Sequence, residues 1–482
     1  MEENVYKNVI TKIGLTGLTN VIIGLSAIIL LPVLTKNLSI SEYGIWIQIS
    51  VTTSLLSSII VLGLHGSLVR FMATYTNKKD IQEGFYSIFL IVFIIGLIVS
   101  VTFYLLSTQI ASILFDNNVL ITRMIPLIML MTALNAINVN FFRAFNQIRA
   151  YNIFLLTNTI LQVIIVYYFV VFGYGIWGAT LGLIISQIMY FFIMFIPIFQ
   201  KIQFKLPRFT KIKEYLSFSI PLVPTDLYSW AVKLSDRYII GILLGIAFVG
   251  YYSPSYTLSN IILMISTPIT IILFPTLSKH FDDGNLEIVE NILSYSLKYF
   301  LACAIPAAVG LSILSKQILL LLTTPDIASA GYIITPFVTT SAILFGAYGI
   351  IVQIIYFKNK TKLLLLIWSL AGILNIGLNI LFLPHMGLIG AGISTLIAYL
   401  IAFISTLYYS FKYFSFEIEL VFIIKSIISS ILMSSFILLL NPSGFLNILI
   451  VIFSSALLYL IVLYLLKGFK TEEIIFLKGL LK

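Results

Sequence analysis

Apolar runs of about 20 residues recur from one end of this chain to the other, and that recurrence limits the fold more than any other feature. A run of that length, rising about 1.5 Å per residue as a helix, matches the roughly 30 Å hydrocarbon core of a bilayer. Inside lipid every backbone polar group must be satisfied within the segment or by a closed barrel, and these runs are too long for barrel strands. The sequence is 60% hydrophobic and only 10% charged over 482 residues, which excludes a soluble globular protein of this size. The expected fold class is therefore an all-α membrane protein with about 14 transmembrane helices. They are read at roughly 13–35, 43–68, 84–106, 120–142, 153–172, 176–198, 215–242, 248–275, 292–315, 330–357, 363–383, 388–410, 420–440 and 445–466. The longest polar connections are 199–214, 276–291 and the segment after Leu466. The first apolar stretch begins near Ile13, is too long for a signal-peptide core and lacks a small-residue cleavage site, so it reads as the first span. The single Cys303 rules out an intramolecular disulfide.

Orientation follows from the distribution of basic residues. Of 28 Lys and Arg residues, 22 fall in one set of loops and in the two terminal segments. They include Lys7, Lys12, Lys78, Lys79, Arg143, Arg149, Lys201 to Lys213, Lys279, Lys358 to Lys362, and Lys467 onward. The opposite loops hold only Lys36 and Lys316. Both termini are thus expected on the cytoplasmic side of the cytoplasmic membrane, with the basic loops against anionic lipid. The net charge of +10 is a consequence of topology, and no nucleic-acid partner is expected.

One span carries charges that the fold must accommodate. Residues 215–242 include Asp226, Lys233, Asp236 and Arg237. Asp226, Trp230, Lys233 and Arg237 are spaced i, i+4, i+7, i+11 and share one helical face. Asp236 lies about 80° round from it. A charge at bilayer depth costs roughly 2.5–3.5 kcal/mol on insertion scales, so such groups face a protein interior or a watery cavity. The shared face is read as the lining of a polar cavity. The alternative is that Lys233, Asp236 and Arg237 are structural pairs that neutralise one another. Pro221 and Pro224, just upstream, each remove a backbone donor and predict a kink.

The chain also repeats itself. Residues Leu38 to Trp46 resemble Leu244 to Tyr252 at an offset of 206, Pro126 matches Pro336 at 210, and Gly175 to Ala179 matches Gly387 to Ala391 at 212. Three ordered matches at nearly one offset predict a duplicated unit of six spans. An even number of spans gives both copies the same orientation, so they are parallel repeats. The expected organisation is an N-terminal six-helix lobe over 1–205, a C-terminal six-helix lobe over 206–412, and two additional helices with a cytoplasmic tail over 413–482.

Several short motifs, in order, carry a family resemblance. They are Leu31-Pro32-Val33-Leu34 ahead of Leu38 to Trp46; Gly63-Leu64 running into Leu68-Val69-Arg70-Phe71; Arg143-Ala144-Phe145-Asn146-Gln147 with Arg149; Ser235-Asp236-Arg237-Tyr238-Ile239-Ile240-Gly241; and Val249-Gly250-Tyr251-Tyr252 with Tyr256. With the span count and the duplication, the chain resembles the polysaccharide-type, Wzx-like flippases of the multidrug/oligosaccharidyl-lipid/polysaccharide (MOP) exporter superfamily. The resemblance implies two six-helix lobes in a V that open alternately to each side. It implies a polyprenyl-diphosphate-linked oligosaccharide as substrate, carried to the outer leaflet for a surface polysaccharide.

The residues supply chemistry for part of this. A diphosphate needs basic partners, and Lys233 and Arg237 would supply them in the cavity, with Asp226 and Trp230 on the same face. Arg70 and Arg123, near the two ends of the path, would meet the head group on either side, or else snorkel to the interface. No G-x-x-x-x-G-K-[ST] sequence is present, so ATP is not bound through a P-loop, and coupling to Na⁺ or H⁺ is expected instead. The related lipid II flippases hold sodium in their second lobe. The corresponding oxygens here are those of Asp236, Asn375, Asn379 and Thr395, whose other reading is interhelical hydrogen bonding. Span one has no charged residue between Ile13 and Leu34, unlike both the multidrug exporters and the lipid II flippases of the superfamily.

The alternatives are a cation-coupled multidrug exporter of the same superfamily and a membrane-bound polysaccharide polymerase or ligase. A basic cavity disfavours cationic drugs. The three histidines, His65, His280 and His385, form no metal cluster or acid–base pair by position, so no enzymatic activity is expected. A duplicated unit builds a complete cavity within one chain, so the expected state is a functional monomer working beside polysaccharide assembly proteins and membrane lipids.

Overall fold

The computed structural model describes residues 2–358 and 360–469, with side chains described from Gly14 onward except at Pro275, Lys279 and Asp282. The expected tail beyond residue 469 lies outside the described residues, as do the side chains of Lys7, Lys12 and Lys279, on which part of the orientation rests. All regular structure among the described residues is helical.

Among the described residues, thirteen helices are long and apolar enough to cross a membrane: Gly14–Asn37, Ile40–Val61, Lys78–Leu105, Val119–Ala144, Ile148–Val171, Gly175–Ile202, Ile246–Ser278, Leu286–Ile313, Thr335–Phe357, Thr361–Met386, Leu388–Tyr413, Leu420–Leu440 and Phe445–Leu465. They fall on thirteen of the fourteen expected spans. The fourteenth is the charged one, and it is not a single helix. Helix Ile212–Ser219 gives way to a 3₁₀ turn at Ile220–Leu222, and a new helix runs over Val223–Leu243. Pro221 and Pro224 each sit in the first turn of their element, where a missing N–H costs nothing. The expected kink is therefore a break, and the four charges beyond it leave the helix less apolar than its neighbours.

The chain packs as two units. One joins Met1–Ser253 to Trp368–Ala391, and the other joins Pro254–Ile367 to Gly392–Lys482. All three boundaries fall inside continuous helices, at Ser253, Ile367 and Ala391. Grouping by packing therefore divides the chain elsewhere than the repeat boundaries expected at 205/206 and 412/413, which rest on sequence offset.

In the first unit, buried amides tie neighbouring helices together. Asn135 donates to the Gln187 carbonyl and to its side-chain Oε1, at 3.0 and 2.9 Å. Gln187 in turn donates to Asn158 at 3.3 Å, and Asn152 donates to Thr16 Oγ1 at 3.0 Å. In hydrocarbon an unpaired amide is expensive, so such pairs fix which helix faces meet. Helix Ile40–Val61 starts at a capping box: Ser39 N–H donates to Glu42 Oε2 at 2.8 Å and Glu42 N–H donates back to Ser39 Oγ.

In the second unit, the last two helices dock onto Leu286–Ile313. The Tyr459 hydroxyl donates to the Ala302 carbonyl at 2.8 Å and lies 2.9 Å from Ser426 Oγ. Beside them, the buried Lys298 ammonium meets Glu419 at 2.7 Å, at the start of helix Leu420–Leu440. Neither ion would be tolerated there alone.

Candidate functional site

Helix Val223–Leu243 presents Asp226, Ser229, Trp230 and Lys233 to a cavity of about 420 Å³ within the first unit. Across from them, helix Ile40–Val61 supplies Ser54, Ser57 and Ser58, and helix Ile125–Ala144 supplies Thr132 and Asn140. His65 completes the wall from the short helix Leu64–Met72. Three of the four residues expected on the charged face thus line one cavity.

The path that brings His65 there is set locally. Leu62 and Gly63 both adopt left-handed backbone, with φ of 48° and 68°, which ends one helix and starts the next at a new angle. A Cβ at Gly63 would lie 2.7 Å from the Ser219 carbonyl oxygen, so only glycine lets helix Ile212–Ser219 approach this closely. Ser67 then donates to the Tyr215 carbonyl at 2.7 Å, both residues being buried. Helix Ile212–Ser219, which lies just before the break in the charged span, therefore packs on the short helix that holds His65 against the cavity.

Arg237 is placed differently. Its Nη1 lies 2.7 Å from Asp236 Oδ1 and also donates to the Lys233 carbonyl at 2.7 Å. Its guanidinium sits over the Tyr252 ring, 5.7 Å from the centroid, and Tyr252 donates its hydroxyl to Asp236 Oδ2 at 2.7 Å. Asp236 is fully buried and Arg237 nearly so. Arg237 is not among the described residues lining the cavity. Its charge is balanced within the helix packing, as the structural-pair reading of Asp236 and Arg237 anticipates.

Arg70 and Arg123 are exposed and lie away from the cavity lining. The Arg70 guanidinium stacks over Phe218 at 4.4 Å from its centroid. Arg123 donates to Ser107 Oγ at 3.3 Å and lies 5.5 Å from the Tyr104 centroid.

The expected sodium ligands are divided between the units. Asp236, Asn375 and Asn379 belong to the first, and Thr395 to the second, where it accepts from the Tyr256 hydroxyl at 3.0 Å. Asn375 and Asn379 are fully buried and bonded to each other, Asn379 Nδ2 lying 3.2 Å from Asn375 Oδ1. Asn379 Oδ1 has no hydrogen-bond partner among the described residues. That atom fits a hard monovalent cation in donor type. Both oxygens of Asp236 are engaged by Arg237 and Tyr252, so the carboxylate brings no net negative charge.

A second cavity, of about 460 Å³, lies in the second unit among Ile261, Cys303, Leu311, Met433, Ile452 and Tyr459. No described residue lining it is charged, so it offers nothing to a charged head group.

The sequence reading missed the wall opposite Lys233, although a signal was present. Ser54, Ser58 and Val61 repeat the i, i+4, i+7 spacing of Asp226, Trp230 and Lys233, and Thr132, Ala136 and Asn140 follow at steps of four. Serines are weaker markers than ions, and His65 lies beyond a helix break.

An all-α fold with thirteen apolar helices among the described residues defines a multi-pass membrane protein, and a charged, hydroxyl-lined cavity lies within its first unit. The chain belongs to the polysaccharide biosynthesis protein family, a sequence model of which matches residues 33–326. Two relatives come from Haloferax volcanii. One is a probable low-salt glycan biosynthesis flippase, Agl15, 22% identical over 230 residues, which are 48% of this chain and 48% of the relative. The other is a probable flippase, AglR, 30% identical over 173 residues, 36% of this chain and 35% of the relative. The chain thus spans about half or less of the length of the curated relatives it matches. Among solved structures, the lipid II flippase MurJ in an inward closed conformation superposes with a TM-score of 0.78 at 19% identity, over 96% of this chain and 99% of that one. At that identity the likeness shows a shared fold.

Proposed function

We propose that the chain is a flippase that moves a polyprenyl-diphosphate-linked oligosaccharide across the cytoplasmic membrane by alternating access, for surface polysaccharide biosynthesis. The observation that carries this reading is the placement of Lys233 in a polar cavity within the helix bundle of a polysaccharide biosynthesis family chain. A diphosphate diester bears two negative charges that cannot cross hydrocarbon unaided. Lys233 offers a compact cation with three donors for phosphate oxygens. The hydroxyls of Ser54, Ser57, Ser58, Thr132 and Ser229 offer hydrogen bonds to phosphate and sugar, and the Trp230 ring offers a face to a pyranose. Asn140 Oδ1 and Trp230 Nε1 make no hydrogen bond among the described residues, which leaves capacity for sugar hydroxyls. A prenyl tail needs no aqueous route and stays in lipid.

In this reading Arg237 positions rather than binds. By holding Asp236 and the Lys233 carbonyl, it fixes the helix turn from which the Lys233 side chain reaches the cavity. Arg70 and Arg123 meet the head group on either side of the membrane. Transport is coupled to a gradient of Na⁺ or H⁺; sodium would be held by oxygens of Asn375 and Asn379, since Asp236 is engaged by Arg237 and Tyr252. When bound, the ion supplies positive charge beside the Arg237–Asp236 pair. The protein acts as a monomer, with both termini cytoplasmic, beside polysaccharide assembly proteins, and is a transporter rather than an enzyme. A second reading, a cation-coupled drug exporter, is favoured by Asp226 in the cavity and disfavoured by Lys233 beside it.

The test is a proteoliposome assay with two cargoes, a polyprenyl-diphosphate oligosaccharide and a cationic dye. Flipping of the lipid-linked sugar without dye transport is the expected result. Dye transport alone would overturn the reading.

A further inference from the structure

Among the described residues lining the first-unit cavity, three titrate: His65, Asp226 and Lys233. Arg237, which would have made the cavity strongly basic, is neutralised by Asp236. With His65 neutral, Lys233 and Asp226 cancel, and the cavity has no net charge to set against a dianionic diphosphate. With His65 protonated, it carries one positive charge. We infer that His65 is the switchable cation of this cavity, and that its protonation sets the affinity for the diphosphate head group. The inference rests on the flippase reading and names the regulation of the same site.

Histidine is the one side chain whose ordinary titration falls between pH 5 and 8. An anion bound beside it favours the protonated form, so by linkage binding takes up a proton and weakens as pH rises. The charged groups acting on His65 are Asp226, from helix Val223–Leu243, and Arg143, from helix Ile125–Ala144. From the other elements packed on its helix, Lys213 and Glu214 are exposed to solvent, and Glu83 is taken up by the backbone N–H groups of Arg208 and Thr210. Arg70, on its own helix, is turned to the Phe218 ring. His65 is therefore left between one acid and one base, and its own protonation adds one positive charge to the sum.

Proton and head group therefore bind together, and the cavity releases both as pH rises. Only a proton moves on and off the imidazole, and no covalent chemistry is involved.

The experiment is equilibrium binding of a short-chain prenyl-diphospho-N-acetylglucosamine to the purified full chain at pH 5.5 and pH 8. The diphosphate diester of this probe keeps both charges across that range, so any pH dependence belongs to the protein. Wild type should bind about tenfold more weakly at pH 8, the loss expected when one charge-assisted contact is removed. His65→Gln should bind at the weak level at both pH values, and His65→Arg, whose charge is fixed, at the tight level at both. A pH-independent wild type, or a His65→Gln variant that keeps the wild-type slope, overturns the inference and leaves the flippase reading intact. No binding by wild type at either pH overturns both. Lys233→Ala separates them further: it should weaken binding at both pH values while the slope from His65 persists.

Discussion

Gly44 and Gly250 lie 206 residues apart and pack against each other's helix starts. A Cβ at Gly44 would collide with the carbonyl oxygen of Ile246, and a Cβ at Gly250 would lie 2.7 Å from that of Ile40. Ile246 and Ile40 are themselves 206 apart. The contact is therefore reciprocal, the kind a two-fold relation between two copies makes, in which i meets j′ and i′ meets j. Small residues let helix backbones close to this distance in membranes. Enlarging either glycine should strain the same junction: Gly44→Leu and Gly250→Leu should each lose about 1–3 kcal/mol of stability. Thermal unfolding of the purified variants would show it, with the pair costing less than the sum because both act on one contact. An unchanged unfolding temperature in either single variant would contradict the close packing.

Asp236 and Arg237 form a buried pair, so removing one partner should be worse than removing both. Asp236→Asn and Arg237→Ala should each lose about 3–5 kcal/mol and show reduced monodisperse protein after extraction. Asp236→Asn/Arg237→Gln should recover part of the yield. Full yield for the single Arg237→Ala variant, with transport abolished, would instead make Arg237 a substrate ligand.

A similar argument applies to Lys298 and Glu419, whose 2.7 Å contact fastens the start of helix Leu420–Leu440 to helix Leu286–Ile313. Lys298→Glu and Glu419→Lys should each lower folded protein, and the charge-swapped double variant should restore it. Failure of the swap, with both singles folding normally, would remove the pair from the account of how the last two helices dock.

If sodium is the coupling ion, transport should rise with sodium at constant ionic strength, and Asn379→Ala should blunt that rise, since its Oδ1 is the buried oxygen without a partner. Transport indifferent to sodium in the parent protein would exclude that site and leave protons as the coupling ion.

Much of the fold was legible because membrane spans are dictated by a single property, a sustained apolar run, and thirteen such helices appear where the sequence places them. The charged span was legible as a functional element but not as a broken one, since the chain's response to Pro221 and Pro224 depends on what packs against it. Spacing alone put Arg237 on the same face as Lys233. It could not show that Asp236, one position earlier, would draw the guanidinium away toward Tyr252. His65 lay in plain view but beyond the left-handed turn at Leu62 and Gly63, where helical periodicity restarts.

The central claim is that Lys233 meets the diphosphate inside the first-unit cavity. Its most direct test is flipping of a polyprenyl-diphosphate oligosaccharide in proteoliposomes containing wild type, Lys233→Arg or Lys233→Ala at equal reconstitution. The account predicts that Lys233→Arg retains flipping and that Lys233→Ala, with an unchanged unfolding temperature, loses it by about tenfold to a hundredfold, the weight of one hydrogen bond to a charged group. Flipping by Lys233→Ala at the wild-type rate would contradict it.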